Sequence, residues 1–227
     1  MLENLRNQID FFIRNKTKFS RKNFVETNLE LVERNRLENL YTKDVLEHYI
    51  EKNPRDFAKI LDIGCKNWFY VKGEYEFFKS FCKDFLLEGV EIDAYRLYSN
   101  FYSRYEVAKF YTKDLLNTNY IVDNLLNVKG KYDFIIWFLP FVIEEPHVYW
   151  GLPKKYFYPK KLLIHAYNLL NNNGVMLIIN QGLAEADKQQ ELLEVSGINY
   201  VNLGEVKSKY FEYKNKRFGF LVQKKVC

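Results

Sequence analysis

The chain changes its hydrophobic rhythm near residue 57. Before that point apolar residues recur at mixed three and four spacing, at Leu29, Val32, Leu37, Leu40, Tyr41, Val45, Leu46, Tyr49 and Ile50. This period marks an amphipathic helical segment. The capping-box pattern Thr27-x-x-Glu30 opens it, and Asn53-Pro54 closes it, because proline drives the preceding residue out of helical geometry. Residues 1–56 hold no strand-like run and are expected to form an N-terminal helical extension. Beyond them, short apolar runs alternate with helical stretches. Strands are predicted over 59–63, 85–90, 119–122, 132–138 and 175–180, and helices over 74–83, 95–114, 159–170 and 185–196. Pro159 suits a first helical turn, while Asn173-Gly174 and Gly197 suit left-handed caps at helix ends. Residues 204–213 and 217–224 flank Lys214-Asn215-Lys216 with no helix between them, which reads as a hairpin. The alternation predicts an α/β domain over 57–227, a doubly wound, mostly parallel sheet closed by that antiparallel pair.

Composition narrows the class. With 227 residues and 48% apolar content, the chain has material for one packed domain and an appendage. Its longest apolar run, Phe134 to Ile143, contains Pro140 and falls short of the roughly 20 residues a membrane helix needs. No membrane association is expected. The N-terminus, MLENLRNQIDFF, places acids and asparagines where an export signal has a basic start, so a cytoplasmic location is expected. Cys65, Cys82 and Cys227 form no C-x-x-C pair and the histidines are isolated, which predicts neither a disulfide framework nor a metal site. The net charge of +5 is unevenly placed. Lys154, Lys155, Lys160 and Lys161 stand without an acid, and the C-terminal segment carries Lys207, Lys209, Lys214, Lys216, Arg217, Lys224 and Lys225 against Glu212 alone. If these share a face, nucleic acid is a possible partner through Lys154, Lys155, Lys214, Lys216 and Arg217; otherwise they are solvated lysines that keep the chain soluble.

Ligands of doubly wound sheets bind beyond the C-terminal ends of the strands. Those positions hold Asp62-Ile63-Gly64-Cys65-Lys66-Asn67-Trp68, Glu91-Ile92-Asp93, Asp123-Asn124, Phe138-Leu139-Pro140-Phe141 and Asn180-Gln181-Gly182. Neither the dinucleotide fingerprint nor the P-loop signature occurs. Carboxylates after three strands would repel phosphates and suit a ligand with hydroxyls and positive charge.

In this order the motifs resemble those of the class I S-adenosylmethionine-dependent methyltransferases over about residues 57–227. Asp62 to Trp68 resembles the family's Asp-x-Gly-x-Gly-x-Gly, GVEID its second motif, KYDFIIWF its fourth strand, LLNNNGVMLII its fifth, and the terminal pair its antiparallel seventh strand. The resemblance implies a Rossmann-like seven-stranded sheet and S-adenosyl-L-methionine as cofactor. It also implies a cofactor site of Asp62, Gly64, Cys65, Lys66, Asn67, Glu91, Ile92, Asp93, Asp123, Asn124 and Phe138. Glu91 would bind the ribose hydroxyls, Asp62 the amino group and Asp123 the adenine side. Cys65 also reads as a small packing residue, Asp62 as a cap and Asp123-Asn124 as a turn.

The glycine-rich loop departs from the family, with Lys66 and Trp68 at its second and third glycine positions. Either these bulky residues fill the site, or Asn67 supplies a left-handed turn while Lys66 reaches toward the cofactor's carboxylate. The polar Asn/Asp-Pro-Pro-Tyr/Phe motif of amine methylators is replaced by Phe138-Leu139-Pro140-Phe141. Candidate bases are Glu144, Glu145 and His147; Pro140, Trp150, Asn180 and Gln181 are expected to face the substrate. The leading expectation is a methyltransferase with an unidentified acceptor. The alternative is an inactive module of the same fold that binds RNA or a protein through its basic hairpin.

Overall fold

The computed structural model describes residues 29–98 and 101–225. The chain divides into two compact units at Leu37/Glu38. Of the first, residues 29–37 are helical, and Arg36 pairs with Glu33 at 2.6 Å. The rest of this section concerns the second unit. The pattern Thr27-x-x-Glu30 lies partly outside the described residues.

Helix α1 (Leu29–Tyr49) precedes β1 (Arg55–Ile63), α2 (Val71–Lys79), β2 (Cys82–Glu91), α3 (Arg104–Thr112) and β3 (Thr118–Val122). Then come β4 (Tyr132–Phe138), α4 (Glu144–Tyr149), α5 (Pro159–Leu169), β5 (Leu170–Gln181), α6 (Gly182–Val195), β6 (Val201–Val206) and β7 (Arg217–Gln223). The strands form one seven-stranded sheet in the order β3-β2-β1-β4-β5-β7-β6. β7 runs antiparallel to both β5 and β6, and the other pairs are parallel. The chain therefore winds outward in both directions from the boundary between β1 and β4.

The strands read as nearly continuous apolar runs because both faces are covered. Ala58, Ile60, Phe134, Ile136, Leu177 and Ile179 pack on one side with Val45 and Leu46 of α1 and Phe77 and Phe78 of α2. Leu61, Ile63, Ile135, Trp137, Met176 and Ile178 pack on the other with Leu163 and Ala166 of α5 and Leu192 and Leu193 of α6. Each fully buried side chain of this size contributes about 1.5–3 kcal/mol, so the two layers carry most of the stability.

Local chemistry sets the element ends. Pro159 occupies the first turn of α5. Gly197, at φ +65°, ends α6: its N–H donates to Glu194 O and that of Ile198 to Leu193 O, the two bonds of a Schellman cap. Three expectations are corrected. The helix placed at 95–114 starts at Arg104, because Ser103 and Glu106 form a reciprocal capping box. Asn173, at φ 60°, caps no helix; α5 ends at Leu169, and Asn173 N donates to Lys224 O where the sheet pairs irregularly. The C-terminal pair is no tight hairpin either, since β6 ends at Val206 and residues 207–216 form a long connection to β7.

Trp68 explains a glycine elsewhere. Its indole is fully buried, and Nε1 donates to Glu74 Oε2 at 2.9 Å. A Cβ built on Gly89 of β2 would stand 2.8 Å from both the Trp68 ring and Cys65 Sγ. Strand β2 thus leaves out one side chain where the loop after β1 inserts a large one. Gly89→Ala should cost about 1–3 kcal/mol through overpacking. Urea unfolding checks this, and an unchanged midpoint would mean that the indole has room to move.

Candidate functional site

The loop after β1 is bent by three left-handed residues, Gly64 (φ 71°), Lys66 (φ 58°) and Trp68 (φ 50°). These are the three positions at which the resembled family has glycine. Asn67, expected to supply the turn, is not among the left-handed residues. The correction has a physical reason: the path of the loop fixes which residues must bend, and burial of Trp68 offsets a strain that Asn67 would have borne more cheaply. Above Gly64 the space is open, since a Cβ built there meets no atom within 4 Å. Cys65 is wholly buried, and burial followed by the nearby carboxylates pushes its thiol far above the ordinary range. Its complete burial within the core is that of a packing residue.

Glu91 ends β2 against this loop. Its Oε2 accepts from Lys66 N at 3.0 Å and its Oε1 from Asp93 N at 2.7 Å, while Arg104 Nη1 stands 3.7 Å away. Asp93 pairs with Arg96 at 2.6 Å and Arg104 at 3.2 Å, and neighbouring Ile92 is 38% exposed. Tyr120 Oη of β3 donates to Lys66 O. A carboxylate offers about four acceptor positions, and two of Glu91's are used by backbone N–H groups. After β3, Asp123 Oδ1 accepts from Asn124 N and Asn127 Nδ2, and Asn124 Oδ1 accepts from Leu126 N. These two residues therefore shape a turn after the C-terminal end of β3.

Asp62, at the end of β1, is fully buried and accepts from Tyr70 Oη at 2.8 Å through Oδ2. Its Oδ1 and Glu74 Oε1 are buried with no hydrogen-bond donor, and the two carboxyl groups interact. Two carboxyl oxygens that meet in the interior need a proton between them. Burial pushes Asp62 up to about 8 and Glu74 well above its ordinary value. Neither Tyr70 nor Glu74 was singled out from sequence. The signal for Glu74 was present: it shares the apolar stripe Val71, Phe77 and Phe78 of α2, where a carboxylate has no place without a partner.

The ends of β4 and β5 hold the remaining candidates. Phe138 lies 5.8 Å from the Tyr70 ring, Leu139 is left-handed at φ 57°, and Pro140 is buried. Trp150 folds back toward the first loop, with Lys66 Nζ 4.7 Å from its ring and its carbonyl accepting from Arg96. Glu144 pairs with Lys154 at 2.5 Å, and Glu145 is exposed. His147 is buried between Phe141 and Phe157 and donates from Nε2 to Pro153 O at 3.0 Å. Asn180 is fully buried with neither amide atom hydrogen-bonded, and Gln181 Oε1 accepts from Arg217 at 2.9 Å. Arg217, expected on a basic surface, is instead buried over the Tyr213 ring at 4.2 Å. Its place in β7 turns it inward, so it meets no phosphate at the surface. Lys216 is engaged by Glu205 at 2.9 Å, and Lys214 is exposed. Among the described residues no cluster of His, Cys, Asp and Glu could hold a metal ion, and no helix is long and apolar enough to cross a membrane.

No sequence family and no curated protein sequence matches the chain. Solved structures do. An S-adenosylmethionine-dependent methyltransferase from Aquifex aeolicus superposes with a TM-score of 0.58 at 15% identity, over 83% of this chain and 92% of its own. An N-methyltransferase, NodS, from Bradyrhizobium japonicum gives 0.55 at 11% identity, over 85% and 98%. Magnesium protoporphyrin IX methyltransferase from Synechocystis, solved with bound S-adenosylmethionine, gives 0.51 at 12% identity, over 89% and 84%. The fold is that of the class I methyltransferases. In this methyltransferase fold the left-handed loop and Asp62 lie at the end of β1, beside the switch point of the sheet, with Glu91 at the end of the neighbouring strand β2.

The acid pair makes stability depend on pH. Burial raises Asp62 from 3.8 to about 8 and also raises Glu74, so the folded chain keeps a proton that the unfolded chain gives up near pH 4. This contribution is complete below that pH and is lost as pH climbs through about 8, at about 1.4 kcal/mol per pH unit for one proton. Glu74→Gln should flatten the fall of the urea midpoint between pH 5 and 8; a slope equal to that of the parent chain would exclude the shared proton.

Proposed function

We propose that the chain is an S-adenosylmethionine-dependent methyltransferase. The observation that carries this reading is the loop after β1, left-handed at all three glycine positions of the family beneath open space over Gly64. The bulky residues there do not fill the site in this reading: the Trp68 indole is committed to the core beneath β2, and the Lys66 ammonium lies over Trp150. The burial of the Trp68 indole thus supports an open site over the alternative in which the two side chains close it.

The residues present fit an adenosine-bearing cation. Gly64, Cys65, Lys66 and Asn67 would form the floor with their backbone, and Glu91 would take the ribose hydroxyls on the acceptor positions that Lys66 N and Asp93 N leave open. Exposed Ile92 would cover one adenine face, with Asp93, Asp123, Asn124 and Phe138 around it. Asp62, fully buried at the end of β1 and hydrogen-bonded by Tyr70, would act on the ligand indirectly, by holding the loop it precedes. When bound, the cofactor supplies a methyl group already activated for transfer. The protein's own work is then to hold an acceptor in line and, where needed, take its proton. Glu144 is paired with Lys154 and His147 with Pro153 O, which leaves Glu145 as the candidate base. Pro140, Trp150 and Gln181 would border the acceptor, and buried Asn180 would act behind them.

Titration calorimetry with S-adenosylmethionine and with its demethylated product should give dissociation constants on the order of micromolar, near −8 kcal/mol. Gly64→Ala should weaken binding at least tenfold, about 1.4 kcal/mol, because the added Cβ enters the open space, and urea unfolding of the same variant separates this loss from the strain of a side chain at φ 71°. Glu91→Ala should weaken binding at least tenfold, about 1.4 kcal/mol. A flat trace for the parent chain would overturn the reading.

A further inference from the structure

The segment from α4 into α5 presents exposed aromatic and basic side chains. Tyr149 is 90% exposed and Trp150 46%, and both would be more stable covered. Beyond them a shallow groove of about 470 Å³ is lined by Tyr158, Pro159, Lys160, Lys161 and Ile164. Its lining combines one aromatic ring, two aliphatic side chains and two lysines. Lys161 Nζ lies 5.7 Å from the Tyr158 ring, and Lys155 Nζ 5.1 Å from the Tyr156 ring. Residues 149–161 contain no acid. Lys154 is held by Glu144, and among the described residues no carboxylate pairs with Lys155, Lys160 or Lys161.

Position joins this surface to the cleft. The segment leaves the C-terminal end of β4, and α5 runs back toward the start of β5, so the first turn of α5 lies at the same sheet edge as Gly64 and Glu91. Asn124 Nδ2 donates to Tyr158 Oη at 3.2 Å, tying the groove to the loop after β3. Trp150 reaches the loop after β1 through Lys66. Flat rings alternating with unpaired cations match one ligand chemistry, in which stacking planes are strung on a chain of negative charges.

We propose that this surface binds a single strand of nucleic acid, its bases stacked on Tyr149, Trp150 and Tyr158 and its phosphates met by Lys155, Lys160 and Lys161. Base stacking on an exposed ring is sequence-tolerant, and each lysine that neutralises a phosphate of a single strand releases about 0.7 of a counterion. An acidic peptide would satisfy the lysines and leave the rings bare. Under the methyltransferase reading, on which only this last role rests, the strand is the acceptor.

The test is fluorescence anisotropy of labelled twelve-nucleotide RNA and DNA strands of mixed sequence, without cofactor, across a range of potassium chloride. Saturable binding that weakens with salt is expected. Charge reversal of Lys155, Lys160 and Lys161 together should flatten the slope of log affinity on log salt by about 2. Tyr149→Ala, at an exposed position with no fold to lose, should weaken binding about fivefold or more. Equal affinity for duplex or for polyglutamate would overturn the proposal, as would binding indifferent to both variants. The two readings fail separately. Strand binding with a flat cofactor titration removes the acceptor role alone; cofactor uptake without strand binding removes this surface and leaves the methyltransferase.

Discussion

The site rests on a burial constraint at the end of β1. Trp68 must point into the core, where its indole is anchored by Glu74 and fitted against the missing side chain of Gly89. That insertion holds residue 68 in a left-handed conformation it would not choose, and the loop from Gly64 follows. Elsewhere in this architecture glycines make such a loop by permitting the conformation. Here the conformation is imposed by packing, at about 1–2 kcal/mol of strain for each non-glycine residue, set against the burial of a large ring.

Electrostatics follows from the same geometry. Glu74 lies on the buried face of α2 because Trp68 needs an acceptor, and this places its carboxyl beside Asp62. Two acids in a dry interior cannot both ionise, so the pair keeps a proton and the floor of the cleft carries less negative charge than its composition suggests. Glu91 is handled differently. Backbone N–H groups and Arg104 surround it, so its side chain is held in position before any ligand arrives. A rigid acceptor of this kind loses little freedom on binding, which is how preorganisation favours affinity.

Much of the architecture was legible in the sequence because strand and helix periods differ and the domain alternates them. β4 was read with its observed bounds, and the Pro159 start and Gly197 cap are local chemistry that no distant contact overrides. The start of α3 was missed although Ser103 and Glu106 carry a capping box, since the apolar run before them looked helical. The C-terminal pairing was misplaced because register there depends on β5, a partner remote in sequence. In the site, the strand-end acids could be read one by one. The proton between Asp62 and Glu74 could not, because it depends on a burial that only the fold creates. Arg217 was misjudged for the same reason: in sequence it sits among lysines, while in the sheet it faces Gln181 and Tyr213.

Backbone strain gives an independent argument for where function lies. Among the described residues, the left-handed residues other than glycine are Lys66, Trp68, Phe101, Asn117, Leu139 and Asn173. The two asparagines bear the conformation cheaply, which leaves four that do not. Of these, Lys66 and Trp68 follow β1 and Leu139 follows β4, and β1 and β4 are the adjacent strands from which the chain winds outward in both directions. The concentration of strain there sets the loop that Trp68 packing imposes at the edge where both crossovers part, the edge at which doubly wound sheets take their ligands.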